Sequence, residues 1–339
     1  MNAFGSALKV ILSGETLSRV QARAAMKALM LGQATDAQAG AFLAALRMRG
    51  ETVDELVGFA EAMRTRAVAV KPKRRPLLDT CGTGGDGSGT FNISTTVAFI
   101  AAGAGAAVAK HGNRAVSSRS GSADVLEALG VKTAGSPKLA AECIDVAGVG
   151  FLFAPIHHPA VARVGPVRRQ LGVRTVFNLL GPLSNPAAAK RQLLGVYSID
   201  LVRSVAEALK SLGSEKAMVV ASKDGLDELS LSAPTIVARL SKGRVTMEEI
   251  RPKRLGFKLR PLSALRGGDA KKNAAITRSI LYGVKGAPRE VCVLNAAAAL
   301  MVAGLARNWG EGVALSNASI DSGRAAASLA ILAHLTKRG

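Results

Sequence analysis

The chain has 339 residues, of which 48% are hydrophobic and 20% charged, a balance that excludes a disordered polyelectrolyte. Its 45 Lys and Arg against 24 Asp and Glu leave a formal charge of +21, so an anionic ligand has to be accounted for. Only 4% of residues are aromatic, which leaves few stacking platforms for single-stranded nucleic acid.

At this length the chain buries roughly three quarters of its unfolded surface, enough for one large domain plus a small one. Cys81, Cys143 and Cys292 are odd in number and far apart, which argues against a disulfide framework or a zinc site. The first twenty residues hold no continuous apolar run. The richest apolar stretches, 97–109 and 296–306, are short and interrupted by glycine, below the about 20 residues that a membrane span needs. A soluble, cytoplasmic protein is expected, with no membrane partner.

Residues 1–70 read as helices. Thr35 with Gln38 and Thr52 with Glu55 have capping-box spacing, and apolar residues follow at helical intervals, as in Phe42, Leu43 and Leu46 or Leu56, Phe59 and Met63. Gly32 and Gly50 are natural stops. The basic, proline-bounded stretch 71–76 suits a hinge. Beyond it, short apolar runs at 77–80, 106–110, 151–154, 193–197 and 217–221 alternate with helical patterns at 94–104, 123–129, 137–146 and 201–212. That alternation predicts a mainly parallel sheet flanked by helices. Segments 235–240 and 244–250 form a candidate hairpin, and the chain returns to helices from Asp269.

Four segments carry chemistry. The stretch from Asp79 to Thr96 is a strand feeding a loop rich in glycine that runs into a helix at 92–95, an arrangement whose backbone N–H groups can cradle phosphate. It lacks the Gly-Lys-Ser/Thr of a Walker A loop. Ser94 and Thr95 can serve there as phosphate or metal ligands, or only as helix caps. Next, Lys110, His111, Gly112, Asn113, Arg114, Ala115, Val116, Ser117 and Ser118 form a donor-rich loop after a strand, where open parallel sheets bind ligands. Third come His157 and His158, then Arg163, Arg168, Arg169 and the run from Arg174 to Pro186; neighbouring histidines diverge, so a structural or substrate-lining role fits them better than shared ligation of one metal. Any of these arginines could bind a carboxylate or be a plain surface charge. Fourth, Asp227 and Glu228 follow the turn at Asp224-Gly225. They are hard oxygen donors of the type Mg²⁺ takes, or an acidic pair at a helix start.

Together these blocks resemble the anthranilate phosphoribosyltransferase family: Gly82-Thr83-Gly84-Gly85-Asp86, Asn92-Ile93-Ser94-Thr95, Lys110 to Ser118, His157 to Ala160, Arg174 to Pro186, Asp224 to Glu228, Gly267 to Ala270 with Asn273-Ala274, and Asn295 to Ala297, in family order over nearly the whole chain. The resemblance implies an α/β fold of the nucleoside phosphorylase/phosphoribosyltransferase type, with a small helical domain at 1–70, joined by helices from about 160–188, and a large domain at 71–339. It implies transfer of the phosphoribosyl group of 5-phospho-α-D-ribose 1-diphosphate to anthranilate, a step of tryptophan biosynthesis, by a homodimer using Mg²⁺, two ions per subunit. By matching position, Gly82, Gly85, Asp86, Thr90, Asn92, Ile93, Ser94, Thr95, the loop from Lys110 to Ser118 and Ser122 would bind the phosphoribosyl diphosphate. Gly82, Asn113 and Arg168 would contact anthranilate, and Ser94, Asp227 and Glu228 would hold the metal. No general base is assigned; His111 is a candidate for that role or for packing.

One stretch departs from the family. Where an acidic Pro-Glu-Asp-Phe-Gly-like segment is usual, this chain has Arg251-Pro252-Lys253-Arg254-Leu255-Gly256-Phe257. From Arg251 to Arg289 it carries eleven Lys or Arg and one acid, +10 of the +21. Two other readings follow: a pyrimidine-nucleoside phosphorylase-like enzyme on the same sheet, and a non-enzymatic nucleic-acid-binding relative. The Lys110-His111-Gly112-Asn113 block and the acid pair weigh against the first; intact substrate loops weigh against the second, so nucleic acid is not the expected partner.

Overall fold

The computed structural model describes residues 3–115 and 119–338. Four helices open the chain: α1 (Ala3–Leu12), α2 (Arg19–Met30), α3 (Asp36–Arg49) and α4 (Val53–Arg64). Both expected capping boxes form, Thr35 and Thr52 accepting from the backbone N–H of Gln38 and Glu55 while those side chains reach back. A third, Ser18 with Gln21, starts α2. The Glu55 carboxylate does more than cap. It is wholly buried and accepts from Thr52 N and Leu17 N at 2.9 Å and from Arg49 Nη2 at 2.5–2.6 Å, tying the α1–α2 turn to α3 and α4.

The sheet and its helices follow as β1 (Leu77–Gly82), α5 (Ile93–Gly103), β2 (Ala107–Gly112), α6 (Ser122–Ala128), α7 (Pro137–Ala147), β3 (Val149–Phe153), α8 (Ala154–His157), α9 (Gly165–Leu171), α10 (Phe177–Leu183), β4 (Arg191–Gly195), α11 (Leu201–Ser211), β5 (Lys216–Ser222), β6 (Thr235–Ser241) and β7 (Arg244–Ile250). Helices α12 (Ala270–Leu281), α13 (Ala287–Ala303), α14 (Trp309–Asp321) and α15 (Arg324–Lys337) close the chain. Strand order is β3-β2-β1-β4-β5-β6-β7, parallel through β5 and antiparallel for the β6–β7 hairpin. The expected α/β fold, helical unit first and mainly parallel sheet second, is therefore what the chain adopts.

Two expected strands sit two residues late. The third starts at Val149, and Gly150 within it lets α7 approach: a Cβ there would lie 2.6 Å from the Ala140 carbonyl. The fourth starts at Arg191, and the polar Gln192 is accommodated there because it is buried with its amide donating to the Pro182 carbonyl at 2.8 Å.

Alternation along β5 shows how the sheet is covered. Met218 and Val220 face a core built with α5, α13 and α15; Ala217, Val219 and Ala221 face the opposite core, which holds α11 and the N-terminal helices. Arg64 at the end of α4 donates to the carbonyls of Leu183 and Leu212, locking the helical unit to the ends of α10 and α11. No helix among the described residues is long and apolar enough to cross a membrane.

Removing the Glu55 carboxylate leaves the Leu17 and Thr52 N–H groups and Arg49 Nη2 without their acceptor. Glu55→Ala should cost about 3–5 kcal/mol, read as a drop in the denaturant midpoint; a loss below 1 kcal/mol would show that the hub is dispensable.

Candidate active site at the strand switch point

After β1 the chain steps outward to β2 and β3, then returns to start β4 on the other side of β1. The crevice past the carboxyl ends of β1 and β4 is the switch point where open α/β sheets take ligands. Gly82 and Gly195, the last residues of these strands, are register partners. Each makes room for Asp227. A Cβ on Gly195 would lie 1.6 Å from the Asp227 carbonyl oxygen, and one on Gly82 would lie 2.7 Å from Asp227 Oδ2.

Asp227 and Glu228 lie in an irregular segment between β5 and β6 and start no helix, which removes the helix-start reading. Its turn is fixed by the Asp224 carboxylate, which accepts from the hydroxyls of Ser230 and Ser232. The Gly84 N–H donates to Asp227 Oδ2 at 3.2 Å, and the Ser94 N–H, in the first turn of α5, donates to Glu228 Oε1 at 3.1 Å. The acid pair therefore bridges the glycine loop and the start of the following helix. Burial pushes the Asp227 carboxyl up to about 7, helped by Asp86 beside it; burial and Asp227 push Glu228 well up, with Lys110 opposing.

Lys110, near the end of β2, is buried and donates to the Thr80 carbonyl and to Ser94 Oγ, the latter at 3.3 Å. Burial lowers its pKa and Asp79 opposes that shift. Asp79 itself accepts from His111 N at 3.2 Å and from Asn185 Nδ2 at 2.7 Å, so one buried carboxylate positions both the Lys110-His111 backbone and the turn after α10. Neither Asp79 nor Asn185 was given a role from sequence. Their signal is a charged residue inside an otherwise apolar strand.

The loop from Gly82 to Asn92 has Gly84, Gly85, Gly87 and Gly89 at positive φ, the conformation that turns successive N–H groups outward. Arg174 holds its middle: Nη1 donates to the Gly85 carbonyl at 2.6 Å while the guanidinium lies 4.4 Å over the Tyr197 ring. Asn92 caps α5 without a side-chain bond to it, donates to the Ser120 carbonyl and accepts from Asn273 Nδ2 at 2.9 Å. Ile93 and Thr95 are buried, with Thr95 Oγ1 unpaired and facing a cavity of about 10 Å³ beside Lys110, so those two residues offer the crevice backbone rather than side chain. Asp86, Ser88 and Thr90 are half-buried along the loop.

Across from it, Asn113 and Arg114 are exposed and Ser122 Oγ donates to the Asn113 carbonyl at 3.2 Å, with Gly112 packed so tightly that a Cβ would meet Ser122 Oγ at 2.3 Å. Arg114 is paired with Asp124 and Glu127 at 3.0 and 2.6 Å, so of the two cations expected in this loop only Lys110 points into the buried network. Ala115 N donates to Asp124 at 3.0 Å. Val116, Ser117 and Ser118 lie outside the described residues.

Arg168, on α9, stacks 5.0 Å over Phe177 at the start of α10 and has no carboxylate partner among the described residues. The same α10 receives His111, whose Nδ1 lies 2.9 Å from the Gly181 carbonyl; a carbonyl only accepts, so Nδ1 carries the proton and Nε2 is a bare, unpaired acceptor. His158 packs against it with ring centroids 5.1 Å apart, and His157 Nδ1 lies 2.9 Å from the Val68 carbonyl, which makes the histidine pair structural and site-lining.

The donor set fits Mg²⁺. Two half-buried carboxylates with Asp86 near and Ser94 Oγ alongside are hard oxygen groups whose repulsion a divalent cation relieves. Among the described residues no three His, Cys, Asp or Glu side chains form a cage, and the remaining ligands of such an ion would be substrate phosphates and water.

This site and sheet have close counterparts. Residues 6–67 match the family described as "Glycosyl transferase family, helical bundle domain", and 74–326 match "Glycosyl transferase family, a/b domain". The two together define a glycosyl transferase with a helical bundle in front of its α/β domain. Curated relatives named anthranilate phosphoribosyltransferase include one from Rhodopseudomonas palustris, 52% identical over 96% of both chains, and one from Symbiobacterium thermophilum, 50% identical over 98% of this chain and 97% of that one. The crystal structure of the Thermus thermophilus enzyme superimposes with a TM-score of 0.93 at 45% identity over 99% and 100% of the two chains. The Saccharomyces cerevisiae enzyme in complex with PRPP and Mg superimposes at 0.90, with 28% identity over 99% and 98%. The chain belongs to the anthranilate phosphoribosyltransferase family.

Burial holds His111 down to about 3 and His158 to about 4, far below an unfolded histidine near 6.5. The unfolded chain therefore takes up protons first, and stability falls as pH drops below about 6.5, by about 1.4 kcal/mol per pH unit for each histidine. Between pH 6.5 and 5, His158→Asn should flatten the fall in unfolding midpoint relative to the parent chain. Parallel curves would mean that His158 titrates normally in the fold.

Proposed function

We propose that the crevice binds 5-phospho-α-D-ribose 1-diphosphate and anthranilate and transfers the phosphoribosyl group to the anthranilate amine, giving N-(5-phospho-β-D-ribosyl)anthranilate and diphosphate, in tryptophan biosynthesis. What carries the proposal is the convergence at one switch point of the glycine loop, Lys110 and the acid pair Asp227-Glu228, in a chain about half identical to enzymes of that name.

Breaking the C1–O bond builds positive charge on ribose and negative charge on the departing diphosphate. The N–H groups of the glycine loop other than those of Gly84 and Ser88, which donate to Asp227 and Asp86, and those at the start of α5 besides Ser94 receive the phosphate oxygens. Lys110 supplies a fixed positive charge, since its bonds to Thr80 and Ser94 leave it little freedom to reorganise. Ser94, Asp227 and Glu228 would hold Mg²⁺, two ions per subunit, which when bound neutralises charge on the leaving group. Arg168, stacked and without a counterion among the described residues, is free to take the anthranilate carboxylate in a bidentate pair, with Gly82 and Asn113 lining the ring. An aromatic amine needs placement more than a strong base, so no general base is assigned to this chain.

Family membership further supports a homodimer in the cytoplasm, with residues 1–70 and helices from about 160–188 as the small domain that closes on residues 71–339. Leu12, Val20 and Met48, exposed on the helical unit at 61%, 78% and 88%, suit such a dimer.

Loss of anthranilate fluorescence with phosphoribosyl diphosphate and Mg²⁺ tests the activity; no loss, alongside phosphorolysis of thymidine or uridine, would replace it with the phosphorylase reading. Asp227→Asn should raise the Mg²⁺ concentration for half-activity about tenfold or more, and an unchanged titration would remove Asp227 from the metal site. Arg168→Ala should raise KM for anthranilate about tenfold, and KM for the diphosphate far less. Equal shifts would contradict the carboxylate role.

A further inference from the structure

The strand-like end of the glycine loop has a partner far along the sequence. Thr90 forms an antiparallel bridge with Arg266, flanked by Phe91 N donating to the Leu265 carbonyl at 3.1 Å and Gly267 N donating to the Gly89 carbonyl at 2.9 Å. That pattern makes Thr90 and Arg266 a non-hydrogen-bonded pair, whose side chains leave the same face at closest approach. Ser88 shares the face, its Oγ 3.2 Å from Thr90 Oγ1.

The pairing is built rather than incidental. A Cβ on Gly267 would lie 2.7 Å from Phe91 N, so only glycine permits the approach. Asn273 clamps the bridge from both sides, accepting from Gly268 N at 2.8 Å and donating to Asn92 Oδ1 at 2.9 Å. Arg266 is exposed and has no carboxylate partner among the described residues, whereas Arg251, Arg260, Lys285 and Arg289 of the same basic span are ion-paired. The Lys272 stem crosses Gly268, where a Cβ would meet Lys272 Cδ at 2.7 Å. The nearby acid, Asp269, accepts from Lys272 N at 2.8 Å as the cap of α12.

We propose that Arg266 is a further diphosphate-binding residue: its guanidinium and the Ser88 and Thr90 hydroxyls form one anion subsite on the glycine loop. The proposal rests on the phosphoribosyl diphosphate reading above. It also gives part of the basic span a task at the site, as a second cation for the substrate's diphosphate besides the buried Lys110.

The test is Arg266→Ala, with Arg266→Lys as a conservative variant and Arg244→Ala, four strands from β1, as a control of equal charge change. KM for phosphoribosyl diphosphate should rise about tenfold in Arg266→Ala with KM for anthranilate within twofold, recover in part in Arg266→Lys, and stay put in Arg244→Ala. Affinity for Mg²⁺-diphosphate alone, by calorimetry, should fall by the same factor. Unchanged KM and diphosphate affinity, or equal shifts in both KM values, would overturn it. Should the parent chain fail to consume anthranilate, the transfer reading falls, and the calorimetric comparison still decides whether Arg266 binds diphosphate.

Discussion

Everything at this site depends on how closely the backbone of residue 227 approaches the ends of β1 and β4. With the Gly195 Cα so near the Asp227 carbonyl that no side chain fits, glycine at 195 is what lets the acid pair sit against the strand ends. From there Asp227 and Glu228 reach the N–H groups of Gly84 and Ser94. A loop rich in glycine has high conformational entropy by itself. Here its first part is tied to β1 and β4, its middle to Arg174, and its end to Asn273 and the Arg266 bridge. The free N–H groups between those ties keep the freedom to close on an anion.

Buried charge is the second constraint. Asp79 and Lys110 lie out of water and the half-buried Glu228 acts on Lys110, an arrangement that costs stability unless each is hydrogen-bonded. Asp79 is satisfied by His111 N and Asn185, Lys110 by Thr80 and Ser94, Glu228 by Ser94 N. The sheet interior thus offsets the cost of two carboxylates at the switch point with one ammonium, leaving excess negative charge that a cation would relieve. Neutral His111 and His158 add no positive charge to that balance at neutral pH.

Local chemistry was legible from the sequence, and pairings between distant segments were not. The capping boxes at Thr35 and Thr52 need only a three-residue spacing, and the glycine loop announces itself by composition. Ser18 follows the same rule but precedes Arg-Val-Gln rather than an apolar run, so it went unread. Gly195 looks like any strand end until its register with Gly82 and the return of residue 227 are known. Arg191 and Gln192 fail a hydropathy test for a strand, because their polar ends find partners that only the fold supplies. The burial of Thr95 and the pairing of Arg114 to Asp124 and Glu127 belong to the same class.

The positive charge of the chain divides along similar lines. A solvated charge gains little from a single exposed partner, so the ion pairs Arg251–Glu249 and Lys285–Asp321 organise the surface without fixing much energy. Unpaired cations act at longer range, raising the local concentration of anions near a crevice within about a Debye length. Lys253, Arg254 and Lys258 sit on the connection that leads from β7 toward Arg266, and α12 carries Lys271 and Lys272 just after it. The basic span therefore runs into the glycine loop through the Thr90 bridge. An acidic span there would repel the same diphosphate that the loop is shaped to receive, so the sign of the charge on this connection sets the field around the crevice without touching the residues inside it.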